Sequence, residues 1–356
     1  MQNDFPSGFA STLDEQFMQR CLFLAAKGLG ATYPNPLVGC VIVHQGKIIG
    51  EGWHKKAGTP HAEVNAIEAV EDKKLLKTST LYVNLEPCAH YGKTPPCADL
   101  ILKYKIPKVV IGTRDPHDQV AGKGIEKLQK AGCDVVLNVL EKEAAFLNRR
   151  FFCFHQKKRP YIILKWAQTE DHFLGPKPTA KTNGSVFWIT GALAQQRVHQ
   201  WRSEEQAIMV GVQTVIEDDP QLTTRHWEGK NPLRFVLDPN DRIPSQAKML
   251  TDEFPTYLLN KEKKDSLSPQ KTKKVTNFNS AKSILETLFK LNIQSVIIEG
   301  GAYTLNSFLK ENLWDEIRVF QSTTKLEEGI SAPEINLIPQ NKEQLGEDQL
   351  FIYYAY

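Results

Sequence analysis

Apolar residues recur along the first part of the chain in two rhythms. Leu13, Phe17, Cys21, Leu24 and Ala25 lie at helical spacing, after a Thr12-Leu13-Asp14-Glu15 run that predicts a capping box. Gly28 and Gly30 end that helix. Residues 38–44 and 47–53 predict two strands joined by Gln45-Gly46, a hairpin signal. The pattern then predicts a helix over 61–71, a strand over 80–85, a long loop over 86–96 and a helix over 97–105. A strand over 108–112, a helix over 123–131 and a strand over 134–139 follow. Such alternation predicts one sheet covered by helices on both faces.

A second pattern begins after the basic, proline-bearing stretch Gln156-Lys157-Lys158-Arg159-Pro160, which suits a domain boundary. It predicts a strand over 161–167, an irregular stretch over 168–187, a helix over 191–202, and a strand over 207–210 running into Gly211 and a short helix. A strand over 233–238, a helix over 281–291, a strand over 295–299, a helix over 302–310 and strands over 316–322 and 349–355 complete it. With 356 residues and roughly 150 per domain, the reading is two α/β domains, 1–150 and 158–356.

Charge narrows the partners. Lys and Arg number 44 against 41 Asp and Glu, a net +3, too balanced for the electrostatic footprint of a nucleic-acid binder. The lysine-rich segment 261–274 reads as a solvated surface loop. No apolar run approaches the roughly 18 residues of a membrane span. The N-terminal MQNDFPSGFA lacks the basic start and apolar core of a secretory signal, so a cytoplasmic protein is expected. Six cysteines do not make a disulfide scaffold. Cys21, Cys40, Cys133 and Cys153 lie among apolar residues and read as small buried hydrophobes.

The remaining two cysteines carry chemistry. His61-Ala62-Glu63-Val64, Glu86-Pro87-Cys88 and Cys97 supply one imidazole and two thiolates, three ligands for a tetrahedral zinc that keeps one position open. An open position marks a catalytic metal, and Glu63 is placed to move a proton beside it. H-x-E followed by P-C-x-x-C is the signature of zinc deaminases acting on nucleobases. Here the second cysteine follows after eight intervening residues instead of two. The loop between the cysteines carries His90 and Lys93, which suit an anionic substrate such as a phosphate ester.

PNPLVGCVIV (34–43), HAEV (61–64), LEPCAHYGKTPPC (85–97) and RDPHDQVAGKG (114–124) resemble the deaminase half of the bifunctional riboflavin-biosynthesis deaminase–reductases. LKWA (164–167), WIT (188–190), VGVQTVIEDDPQLTTR (210–225) and VIIEGG (296–301) resemble the reductase half. The resemblance implies a cytidine-deaminase-like three-layer α/β/α domain followed by a dihydrofolate-reductase-like α/β domain. It implies hydrolytic deamination of a diamino-hydroxy-phosphoribosylamino-pyrimidine, then NADPH-dependent reduction of its ribosyl chain to ribityl, in a homo-oligomer. It also implies zinc ligands His61, Cys88 and Cys97, proton shuttle Glu63, and deaminase substrate contacts Asn35, His54, His90 and Lys93.

In the second half the resemblance implies NADPH contacts at Ala167, Trp188, Thr214, Asp218 and the run Gly301, Ala302, Tyr303, Thr304, Leu305, Asn306 and Ser307. It implies substrate contacts at Lys165, Arg202, Leu222, Arg225 and Glu299. Gly300-Gly301 closes a strand and opens a helix, so main-chain N–H groups there can hold a cofactor phosphate, and Arg202 with Arg225 can clamp a substrate phosphate. Three departures stand out. Thr169-Glu170-Asp171-His172 replaces a usual Ser-Leu-Asp-Gly, Val186 (beside Ser185) stands where a serine contact is expected, and His117 replaces an asparagine after Asp115-Pro116. No G-x-G-x-x-G follows a strand, which speaks against an ordinary Rossmann domain. The alternative reading is a polynucleotide deaminase, of tRNA or single strands, with an accessory binding domain. That function needs a basic groove with stacking aromatics, and no such stripe is visible. Zinc in a purely structural role would leave Glu63 without purpose.

Overall fold

The structure, a computed structural model, describes residues 12–91, 95–117, 121–177, 187–260, 272–275 and 280–355. It divides into two compact units, Met1–Lys157 and Lys158–Tyr356.

The first unit opens with helix α1 (Leu13–Ala26). Its capping box is complete: Glu15 N–H donates to Thr12 Oγ1 at 3.2 Å and Thr12 N–H to the Glu15 carboxylate at 2.7 Å, a cap that contributes about 1 kcal/mol. Five strands follow: β1 (Gly39–His44), β2 (Lys47–Trp53), β3 (Thr80–Leu85), β4 (Lys108–Thr113) and β5 (Asp134–Val136). They pair in the order β2-β1-β3-β4-β5, antiparallel around β1 and parallel from β3 to β5. Alternate residues of β1 serve opposite layers. Cys40 and Ile42 pack with residues of α2 (Ala62–Ala69), α3 (Cys97–Lys103) and α4 (Lys123–Lys130). Val41 and Val43 pack on Met18, Cys21 and Leu24 of α1. The result is the three-layer α/β/α sandwich the alternation predicts. Cys21, Cys40, Cys133 and Cys153 are all buried, as read from their neighbours.

Helix α2 lies unusually close to β2. A Cβ on Gly52 would overlap Ala66 N and sit 2.6 Å from Ala62 O, so only glycine permits this approach. Helices α5 (Glu141–Leu147) and α6 (Arg149–Lys157) close the unit. The basic composition near residue 157 conceals α6, which buries Phe151, Cys153 and Phe154.

The second unit is built on nine strands in the order β10-β9-β8-β7-β11-β6-β12-β14-β13. These are β6 (Tyr161–Gln168), β7 (Ala207–Gly211), β8 (Leu233–Leu237), β9 (Thr256–Leu259), β10 (Thr272–Val275), β11 (Ser295–Glu299), β12 (Glu316–Gln321), β13 (Asn341–Leu345) and β14 (Asp348–Tyr354). All pairings are parallel except β12–β14 and β14–β13. One face is covered by α10 (Ala281–Lys290) and α11 (Ala302–Lys310), whose Ile284, Leu285, Leu288, Leu305 and Phe308 pack on Ile162, Leu164, Met209, Phe235 and Ile298. Helices α7 (Ala192–Glu204), α8 (Val212–Asp218) and the short α9 (Lys248–Thr251) complete the unit. Among the described residues no helix is long and apolar enough to cross a membrane.

Two sequence expectations change here. The segment 261–274 is not all surface loop, because Thr272–Val275 is an edge strand pairing with β9; the rest of that segment lies outside the described residues. Strand β13 has no apolar alternation to announce it. It is almost wholly exposed and is held by its ladder with β14.

Candidate active sites

Each end of the first site is set by local backbone. His61 is not in the helical turn the pattern predicts but is the N-cap of α2, with extended φ −70° and ψ 165° and no side-chain capping bond. Its ring is therefore free to turn toward the two sulfurs. Its Nδ1 lies 3.7 Å from Cys88 Sγ and 3.3 Å from Cys97 Sγ, and the three donor atoms lie within 4.8 Å of one another. Zinc bonds of about 2.3 Å to sulfur and about 2.0 Å to nitrogen set tetrahedral S···N edges of about 3.5 Å, so the donors fit the ion. Among the described residues no other group of three such side chains gathers in this way.

Charge makes the same point. Hydrogen bonds from Cys97 and His61 outweigh burial and hold the Cys88 thiol well below its ordinary range, while Cys97, bonded to Cys88 and buried, is pushed far above it. Two thiolates at this spacing need a divalent cation between them. The Cys97 main-chain N–H also donates to Cys88 Sγ at 3.3 Å. Glu63, on the first turn of α2, is 3% exposed. Burial, then the nearby Cys88 sulfur, push its carboxyl up to about 7 against the pull of His61.

The substrate-side residues divide. Asn35 Nδ2 donates to His54 Nε2 at 3.0 Å, and His54 Nδ1 donates to Pro60 O at 3.2 Å. The buried His54 ring meets His61 edge-on at 5.5 Å. Asn35 and His54 thus stand beside the metal ligands. His90 is exposed just beyond Cys88, and Lys93 lies outside the described residues.

Several positioning groups carry no sequence signal of their own. Leu37 N–H donates to Asn148 Oδ1, and Leu37 O accepts from both Asn84 and Asn148, which fixes the segment that carries Asn35. The buried Glu86 carboxylate accepts from the N–H groups of Asp115, Gly122, Gly124 and Ile125 at 2.9–3.4 Å. It ties Asp115 and the Gly122–Ile125 turn against the Pro87–Cys88 stretch. A Cβ on Gly124 would overlap the Pro87 carbonyl oxygen. Gly124→Ala is therefore expected to shift Cys88 and weaken zinc by about 10–100-fold, measured by competition with a chromophoric chelator. Unchanged affinity would refute that role for the close contact.

In the second unit a cavity of about 1130 Å³ opens at the carboxyl ends of β6, β7 and β11, where open α/β sheets bind ligands. All five expected substrate residues line it: Lys165, Arg202, Leu222, Arg225 and Glu299. So do Ala167, Trp188, Thr214, Asp218 and Gly301. Lys165 pairs with Glu299 in the β6–β11 register, and Arg202 bonds Glu299 at 3.1 Å. Burial pushes the Glu299 carboxyl up, but Arg202 and Lys165 outweigh it and hold the net value below the usual carboxylate range. Burial also lowers Lys165. Glu299 Oε1 and Arg202 Nε are buried without a partner, the polar valence a ligand satisfies. Arg202 is thus largely committed to Glu299. The Arg225 guanidinium bonds only the neutral oxygens of Gln221 and Thr223, at 3.1 and 3.2 Å, among the described residues.

Gly301 is the N-cap of α11 with no side-chain capping bond. A Cβ there would meet nothing within 4 Å, so the strand–helix turn faces open space suited to a cofactor phosphate. The rest of the expected run does not border the cavity. Tyr303 is 88% exposed, Leu305 is in the core and Thr304 is buried. Asn306 lines a separate hollow of about 420 Å³, Ser307 Oγ donates to Thr304 O at 2.7 Å, and Ala302 follows Gly301 into the helix. Only the cap of α11 borders the cavity; the residues that follow are turned to the core or the surface.

Residues 11–113 match the cytidine and deoxycytidylate deaminase zinc-binding region, and residues 160–325 match the RibD C-terminal domain. The riboflavin biosynthesis protein RibD of Aquifex aeolicus is 43% identical, the match covering 97% of this chain and 99% of that protein. The chain belongs to the RibD family. It is a bifunctional riboflavin-biosynthesis enzyme, a zinc-site deaminase joined to a reductase. The RibD of Escherichia coli is 36% identical over 86% of this chain and 87% of its own length. A crystal structure from Thermotoga maritima, described as a diaminohydroxyphosphoribosylaminopyrimidine deaminase/5-amino-6-(5-phosphoribosylamino)uracil reductase, superposes with a TM-score of 0.87. It is 36% identical, covering 97% of this chain and 99% of that one.

One RibD departure has a local explanation. Asp171 accepts from Leu326 and Glu327 N–H at 3.0 and 2.8 Å. His172, standing where the motif has glycine, takes the left-handed φ of +64° and bonds Gln168 at 2.9 Å. The turn is kept at the cost of strain in a non-glycine residue. Val186 and Ser185 lie outside the described residues, and His117 stacks edge-on against His155 at 4.8 Å.

Proposed function

We propose that His61, Cys88 and Cys97 hold the zinc of the deaminase, that Glu63 moves its proton, and that the substrate is the diamino-hydroxy-phosphoribosylamino-pyrimidine named for the Thermotoga maritima relative. The observation that carries this reading is a buried carboxyl beside three donor atoms at tetrahedral spacing. Zinc, when bound, acidifies a water to a pKa of about 7. Glu63, with a carboxyl near that value, takes a proton from the attacking water and delivers it to the exocyclic amine, which leaves as ammonia. Asn35, with Nδ2 committed to His54, keeps Oδ1 to orient the pyrimidine. His90 and Lys93 serve the phosphate side.

The second cavity then takes the deaminated ribosylamino-pyrimidine and NADPH. Ala167, Trp188, Thr214, Asp218 and Gly301 hold the cofactor, which supplies a hydride. Lys165, Leu222 and Glu299 position the opened sugar. Arg225 anchors the phosphate, since its charge has no carboxylate partner among the described residues. Small-molecule turnover in the cytoplasm by a homo-oligomer is part of this proposal and rests on the family resemblance.

The test is ammonia release and NADPH oxidation on the synthetic phosphoribosylamino-pyrimidine, with a single-stranded oligonucleotide as the competing substrate. Turnover of the pyrimidine is expected, and deamination of the oligonucleotide in its place would overturn the reading. Arg225→Gln is expected to raise the reductase KM by about 10–100-fold, the worth of a hydrogen bond to a charged group, with kcat little changed. An unchanged KM would remove Arg225 from phosphate binding.

A further inference from the structure

The loop from Asp219 to Arg225 is pinned at almost every residue. Lys248 N–H bonds the Asp219 carboxylate at 2.8 Å, Arg234 bonds Gln221 O at 2.9 Å, and Arg202 reaches Thr223 O at 3.4 Å. Thr224 N–H bonds Asn231 Oδ1 at 2.7 Å. The pinning holds strain: Asp219 and Leu222, neither a glycine, take φ of +40° and +54°. Such geometry persists only where the surroundings over-determine it, and Leu222 and Arg225 both line the reductase cavity.

The pin at Arg225 itself is His199. This residue of α7 is 5% exposed and lines the same cavity. Its Nδ1 accepts the Arg225 main-chain N–H at 3.1 Å. Three positions along α7, Arg202 projects from the same helix face to the Thr223 carbonyl, so one helix face grips both sides of the Thr223–Arg225 turn. An acceptor nitrogen must carry its lone pair, so the imidazole has to be neutral. Its surroundings ensure this. Burial first, then Arg202, Arg225 and the edge-on His226 at 4.8 Å, lower its pKa to about 4, against a weaker pull from the Thr223 carbonyl. Glu299 is the acidic group in that field.

We propose that His199 is a positioning residue of the reductase site, a neutral acceptor that fixes the Arg225 main chain and so aims its guanidinium into the cavity. The inference deepens the reading of Arg225 as phosphate anchor and rests on it.

Asparagine and glutamine separate this role from mere bulk, because Asn Oδ1 falls where Nδ1 stands and the Gln amide reaches the Nε2 position. His199→Asn is expected to keep the reductase KM within about twofold, and His199→Gln to raise it about tenfold with kcat little changed. Ammonia release should be unchanged in both variants. Combined with Arg225→Gln, His199→Gln should add no further rise, as for residues acting through one contact. Equal KM values for the Asn and Gln variants, a loss confined to kcat, or a fully additive double variant would overturn the positioning role. Arg225→Gln alone tests the underlying reading, so an unchanged KM there and a failure of the His199 pair are told apart.

Discussion

Glu63→Gln retains zinc and cuts ammonia release by about 10²–10⁴-fold, the usual worth of a positioned proton carrier, or roughly 3–5 kcal/mol of barrier. NADPH oxidation on the deaminated intermediate is unchanged. The amide fills the same buried volume on the first turn of α2, so the fold and the three metal donors stay in place. What it removes is a group that gains and loses a proton near neutrality, a property burial creates by raising the carboxyl to about 7. Zinc content by atomic absorption and ammonia release on the same sample check this. Full activity in a zinc-loaded variant would take Glu63 out of the proton path.

Arg234→Met destabilises the second unit by about 3–5 kcal/mol, the loss expected when one partner of a buried ion pair is removed. At 2–4 °C per kcal/mol for a domain of this size, its unfolding midpoint falls by roughly 10 °C. Arg234, on β8, is fully buried. It donates to both Asp252 oxygens at 2.6 Å and to the carbonyls of Gln221, Met249 and Phe254 at 2.6–3.0 Å. Methionine fills the space but strips the guanidinium donors from a carboxylate and three carbonyls, of which Asp252 keeps only the Phe254 N–H and Met249 O only the Thr256 hydroxyl, and it frees the loop at Gln221. Thermal inactivation followed by both activities on one sample checks it: the NADPH-oxidation midpoint drops while that of ammonia release holds. An unshifted reductase midpoint would show the Arg234 cluster to be energetically idle.

The metal site was legible because its chemistry is local in type and spacing. One histidine, two proline-flanked cysteines and a glutamate two residues from the histidine have few other readings. The groups that hold the site were not, because their partners are remote: Asn148 reaches Leu37 across 111 positions, and His199 reaches Arg225 across 26. A lone buried Asn or His has no pattern before the fold brings its partner. Continuous apolar runs placed β1, β6, β7 and β11. That signal is absent from β13, a strand that persists without an apolar face, and from α6, which runs into the basic boundary stretch at Gln156-Lys157. Of the run 301–307 only Gly301 borders the cavity, because family position does not say which side of a helix faces open space.

The missing side chain at Gly52 acts as a gauge block. With no atom beyond Cα, β2 lets α2 settle onto the sheet, and that helix carries the sulfur-facing His61 imidazole at its cap and the buried Glu63 carboxyl two residues on. A methyl inserted there would be a shim under the helix, lifting both groups off a target formed by sulfurs on other elements. A misplacement of about 1 Å can cost about 10²-fold in rate, so the thickness of this one strand sets the reach of the deaminase.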